Sequence, residues 1–129
     1  MSMLYAIRQI GDVTILDLNG RITLGEVLAF GADTVAALHE LVRDVARKHS
    51  KKILLNLADV TSVDTSGLGE LVSCMVSARN LGGELKIFGA TKQASDLLRM
   101  TRLSSVLDAE PDEAAALRSF DPKRGTTAA

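Results

Sequence analysis

An acid is followed directly by two hydroxyls in Asp64-Thr65-Ser66-Gly67, and this run lies between a short apolar segment and a stretch with helical periodicity. Such residues could serve as nucleophile and base, cap a helix, or accept a phosphate. The first use is poorly supplied. A carboxylate is a weak base for an unactivated hydroxyl, and no histidine stands in a context that would bring it to this run. His39 and His49 fall on the polar side and at the end of the first long helix, where solvation is the ordinary state, and His49 suits a helix C-terminus by charge. They are not spaced as a metal pair, and no Cys-x-x-Cys, His-Glu-x-x-His or Asp-rich calcium loop occurs in the sequence. Gly67-Leu68-Gly69 lacks both the Gly-Lys-Ser/Thr ending of a phosphate loop and the third glycine of a dinucleotide fingerprint. These glycines read instead as room for close backbone approach. The residues predict no metal site and no catalytic group.

The elements that must position the hydroxyls are a strand before them and a helix after them. Ile53, Leu54, Leu55 and Leu57 form a short apolar run, bounded by basic residues on one side and by Asp59, Thr61 and Ser62 on the other, and predict a buried strand over 53–57. Leu68, Leu71, Val72, Met75 and Val76 recur at three and four residues and predict a helix over about 66–81. Gly82-Gly83 suits its left-handed termination. A helix's first turn leaves backbone N–H groups unpaired and carries roughly half a positive charge, so Thr65 or Ser66 there caps the helix or holds a phosphate in a favourable field. On the residues alone both uses stay open.

Around this centre the chain alternates strands and helices. Residues 4–10 and 13–18 read as two strands of a hairpin turned at Gly11-Asp12. After an irregular stretch over 21–32, a helix starts at about Asp33, its cap, with Val35, Leu38, Leu41, Val42 and Val45 on one face. Leu85, Ile87 and Phe88 mark a further strand, 92–102 a short helix, 104–109 a last strand, and 111–120 a closing helix with Pro111 in its first turn. A hairpin followed by strand–helix alternation implies an α/β fold with a mixed sheet.

The chain of 129 residues is one domain over 1–120, with 121–129 predicted as a mobile tail. Its net charge of -1 and 3% aromatic content give no electrostatic footprint or stacking platform for nucleic acid. No basic leader and no stretch of about 18 apolar residues occurs, so neither export nor membrane insertion is expected. Cys74, the single cysteine, reads as a buried, inert thiol. A cytoplasmic location follows as an expectation.

The string Val63-Asp64-Thr65-Ser66-Gly67-Leu68-Gly69, with Ile53-Leu54-Leu55-Asn56-Leu57 before it and Gly82-Gly83-Glu84-Leu85-Lys86-Ile87 after it, resembles the STAS domain family, and within it the bacterial anti-sigma factor antagonists. The opening hairpin, an Asn19-Gly20-Arg21-Ile22 turn and the Leu97-Leu98 helix before Thr101-Arg102-Leu103 fall in the family's order. The resemblance implies a mixed sheet, an opening hairpin and then parallel strands, packed against about four helices, with no catalytic activity, metal or cofactor. It also implies a partner, an anti-sigma factor that is a serine/threonine kinase and phosphorylates the hydroxyl after the motif's acid, with a protein phosphatase to reverse the mark. That position is Thr65, and Ser66 is the second candidate. The implied docking surface is Asp64, Thr65, Ser66, Gly67, Leu68 and Gly69. The chain departs from the pattern at Thr23, where many antagonists carry an acid, and in the longer segment 24–32. A different use of the same fold, as a constitutive subunit of a lipid-transport ATPase or of a sensory scaffold, is the alternative the resemblance leaves.

Overall fold

The computed structural model describes residues 4–22, 33–48, 50–103, 106–107 and 109–120. Five strands form one sheet in the order β1-β2-β3-β4-β5. They are β1 (Leu4–Ile10), β2 (Val13–Ile22), β3 (Lys52–Val63), β4 (Glu84–Phe88) and β5 (Ala109–Glu110), and the helices are α1 (Asp33–Lys48), α2 (Thr65–Asn80), α3 (Lys92–Met100) and α4 (Glu113–Ser119). The β1–β2 hairpin is antiparallel and every later pairing is parallel. Among the described residues the chain forms the expected mixed sheet with four helices.

Alternation along the strands separates two cores. Leu16, Leu18, Ile53, Leu55, Leu57, Leu85 and Ile87 face α1, α2 and α3 and join Leu38, Val42, Leu71, Met75 and Leu98 in the main core. Their neighbours Val13, Ile15, Leu54 and Phe88 point the other way and are covered by Ala116 and Phe120 at the end of the chain. Fully burying one such aliphatic side chain stabilises by about 1.5–3 kcal/mol, and here the sheet buries them on both faces. The second face also carries a polar clamp. Arg8 donates to both Asp17 oxygens at 2.6 and 2.9 Å and to Glu113 at 2.6 Å, while Asn56 donates to Asp17 at 2.8 Å. Three strands and α4 are thereby tied together. The Arg8 guanidinium holds the Asp17 carboxyl below its usual range, and the two carboxylates raise Arg8 in turn.

Several boundaries differ from expectation. β3 runs on to Val63 rather than ending at Leu57, because β2 pairs with it as far as Ile22↔Val63. Asn19-Gly20-Arg21-Ile22 is accordingly strand and not turn, with register shifts between Asp17 and Asn19 and between Gly20 and Arg21. The last strand lies at Ala109–Glu110, with 106–107 in a turn, and 104, 105 and 108 of its expected span lie outside the described residues. α4 starts one residue after its cap Asp112, whose side chain accepts from the Ala115 N–H at 2.8 Å, so Pro111 precedes the cap instead of lying in the first turn. The stretch 23–32, including Thr23, the side chain of Asp33, His49 and the tail 121–129 lie outside the described residues.

His39 is half-buried and hydrogen-bonded rather than freely solvated. Its Nδ1 lies 3.0 Å from Glu70 Oε1 and its Nε2 2.6 Å from Ser77 Oγ, so it links α1 to α2. Cys74 is fully buried, and burial pushes its thiol up to about 12.

Candidate functional site

β2 and β3 end side by side, and α2 begins at once. The Asp64 N–H donates to the Ile22 carbonyl at 3.3 Å, which continues the ladder by one residue. Asp64 is extended (φ -104, ψ -179), and its Oδ1 accepts from the Gly67 N–H at 2.8 Å while its carbonyl takes the Leu68 N–H at 2.8 Å. The helix cap is therefore Asp64, not Thr65 or Ser66. An aspartate in the β region just before the first turn reaches the third helical N–H and also places its charge at the positive end of the helix. Both hydroxyl residues are released from capping.

Thr65 and Ser66 occupy the first two helical positions and both are exposed. Gly67 and Leu68 are buried, and Gly69 is exposed again. Gly67 lies against the backbone of Ile22, where a Cβ would stand 1.8 Å from the carbonyl oxygen. Only a glycine lets the helix approach this closely. Leu68 is 2% exposed and anchors the helix in the main core, so the docking surface expected over 64–69 presents Thr65, Ser66 and Gly69 outward while Gly67 and Leu68 hold them in place. Further along α2, Ser73 and Val76 are exposed. At the far end Gly82 (φ 83) terminates the helix, with the Gly83 N–H on Ala78 O at 2.8 Å and the Gly82 N–H on Arg79 O at 2.9 Å.

One contact at the site escaped the sequence reading. The Gln93 side chain, in the first turn of α3, takes the Val63 N–H at 3.0 Å and donates to the Val63 carbonyl at 2.7 Å. The Thr91 cap places a residue of α3 in its first turn at this position, but nothing local says which backbone 30 residues earlier it will meet.

Among the described residues no group of His, Cys, Asp and Glu could hold a metal ion. No described helix is long and apolar enough to cross a membrane. What the arrangement offers is two exposed hydroxyl residues at a helix N-terminus, held by buried Gly67 and Leu68 and by the half-buried Asp64 cap.

The fold and this turn define a sheet-and-helix domain of the STAS type. The STAS domain family model matches residues 5–116, and the chain belongs to that family. Among solved structures, a putative anti-sigma factor antagonist from Thermotoga maritima superposes with a TM-score of 0.74 at 22% identity, over 89% of this chain and 92% of that one. The anti-sigma factor antagonist SpoIIAA in its unphosphorylated form gives 0.68 at 12% identity, over 95% and 97%. The Bacillus cell fate determinant SpoIIAA in the phosphorylated form gives 0.62 at 13%, over 90% and 99%. A part of the murine Solute Carrier 26 family member A9 anion transporter also shares the fold, at 0.62 and 13% identity over 85% of this chain and 18% of that one. At these identities the likeness is one of fold.

Proposed function

We propose that this STAS domain is an anti-sigma factor antagonist, a protein-binding module switched by phosphorylation. Unmodified, it docks on a serine/threonine kinase that acts as an anti-sigma factor, and a sigma factor is freed; phosphorylated, it lets go. Thr65 is the acceptor, Ser66 the secondary one, and a protein phosphatase restores the docking form. The observation that carries this reading is that Thr65 and Ser66 are exposed at the start of α2 while Asp64 does the capping, so the hydroxyls are available to an enzyme. The two SpoIIAA structures add that a protein of this fold exists in both unphosphorylated and phosphorylated forms.

The energetics favour a switch in binding over a switch in folding. A phosphate on Thr65 brings about -1.5 to -2 charges. The helix N-terminus offers about 0.3–1 kcal/mol to an anion in its first turn, against repulsion from the Asp64 carboxylate. The fold tolerates the charge. A partner covering it must strip its water, and an unpaired desolvated charge costs several kcal/mol, where each 1.4 kcal/mol is about tenfold in affinity. Incubation with a cognate anti-sigma kinase and ATP, followed by mass mapping, tests the reading: one phosphate on Thr65 or Ser66 supports it, and an unlabelled 64–69 peptide removes it.

The second reading, a constitutive subunit of a transport or sensory assembly, draws on the transporter likeness. Stable co-purification with an ATPase that survives Thr65→Glu would favour it, while loss of partner binding in that variant favours the switch.

A further inference from the structure

Gln93 stands where a neighbouring strand would stand. β4 accompanies β3 only along Lys52–Asn56, and Val63, the residue before the cap, has β2 on one side through the Ile22↔Val63 pairing. On its other side the Gln93 amide supplies one acceptor and one donor, at 3.0 and 2.7 Å, to the N–H and C=O of the same residue. A residue in a strand presents both groups to one side, so a side-chain amide that binds both mimics one rung of a ladder. Without it, two backbone groups at the very end of β3 would lose their partners, at the point from which Asp64 and Thr65 are suspended. Gln93 itself is exposed, in the first turn of α3 beside the end of β3.

We propose that Gln93 is a positioning residue for Thr65: its amide locks the last peptide of β3 and thereby fixes the direction in which the acceptor hydroxyl leaves the sheet. This rests on the phosphorylation reading for its functional half, and the first turn of α3 becomes part of the regulated site. Gln93→Met keeps length and helix preference but loses both bonds. Gln93→Glu keeps an acceptor for the Val63 N–H and loses the donor to the carbonyl, so it serves as the partial rescue.

Two measurements on the full chain separate the claims. Amide exchange of the labelled protein is expected to show Val63 N–H exchanging at least tenfold faster in Gln93→Met and less so in Gln93→Glu, with Leu54 and Leu55 unchanged. Extract of the producing organism with radiolabelled ATP is expected to label Thr65 at least tenfold more slowly in Gln93→Met than in the parent. Unchanged Val63 exchange overturns the clamp, and parental labelling rates despite faster exchange overturn the positioning role. If the parent protein takes no label, the phosphorylation reading falls, and exchange alone decides whether Gln93 fixes the turn.

Discussion

Replacing Gly67 with alanine should damage the site far more than one methyl group suggests. The added Cβ would lie 1.8 Å from the Ile22 carbonyl oxygen, and real Cβ atoms essentially never come within 3.0 Å, so helix and strand must part by about 1.2 Å. A movement of that size breaks the 2.8 Å bond from the Gly67 N–H to Asp64 and the 3.3 Å bond from Asp64 to Ile22. Losing the cap costs about 1 kcal/mol, and forcing apart a packed contact costs about 1–3 kcal/mol more. The total of about 2–4 kcal/mol is a large part of the stability of about 5–15 kcal/mol of a domain. With a urea slope of about 1.5 kcal/mol per molar, the unfolding midpoint should fall by about 1.3–2.7 M. Gly69→Ala is the control, since nothing lies within 4 Å of its added Cβ and it sits in the same helix. There the gain in helix propensity should raise stability by up to about 1 kcal/mol. Equal midpoints for the two variants in urea would refute the close-approach account of Gly67.

Two further outcomes follow from the titrating groups. Asp17 is held below its ordinary pKa by the Arg8 hydrogen bonds, so between its unfolded and folded values the unfolded chain binds the extra proton; stability is present above about pH 4 and is lost as pH falls through the folded value. Asp17→Asn should flatten this acid-side loss in thermal melts taken from pH 5 to pH 2, and an unchanged slope would mean that the clamp carries no linkage. Cys74, buried with its thiol near 12, should resist an aromatic disulfide reagent at pH 8 in the native protein and react at once in urea; rapid labelling of the native state would contradict its burial.

Much of this architecture was open to reading because it is local. The stripe of α2, the Gly82-Gly83 stop and the apolar run of β3 each declare themselves within a few residues. The full length of β3 did not, and the reason is its spacing. Leu57, Val60 and Val63 are buried at intervals of three, with Ala58-Asp59 and Thr61-Ser62 between them, because register shifts against β2 interrupt the two-residue alternation. A strand whose inward residues recur every third position looks like a loop until its partner is known. The expectation that Thr65 or Ser66 caps the helix failed for a related reason: the side chain of Asp64 is competent as well, and its extended backbone angles decide. His39 and Gln93 find their partners 31 to 38 and 30 residues away, distances over which composition says nothing.

The helix that bears the hydroxyls is gripped at both ends. Gly67 is pressed to the Ile22 backbone, and at the opposite end a Cβ on Gly83 would stand 2.5 Å from the Lys51 carbonyl oxygen. A rod wedged between two walls neither slides nor tips when one end gains charge. In the proposed switch a phosphate on Thr65 would then be read where it is written, by a molecule that touches it, and distant faces of the domain should stay silent about its state.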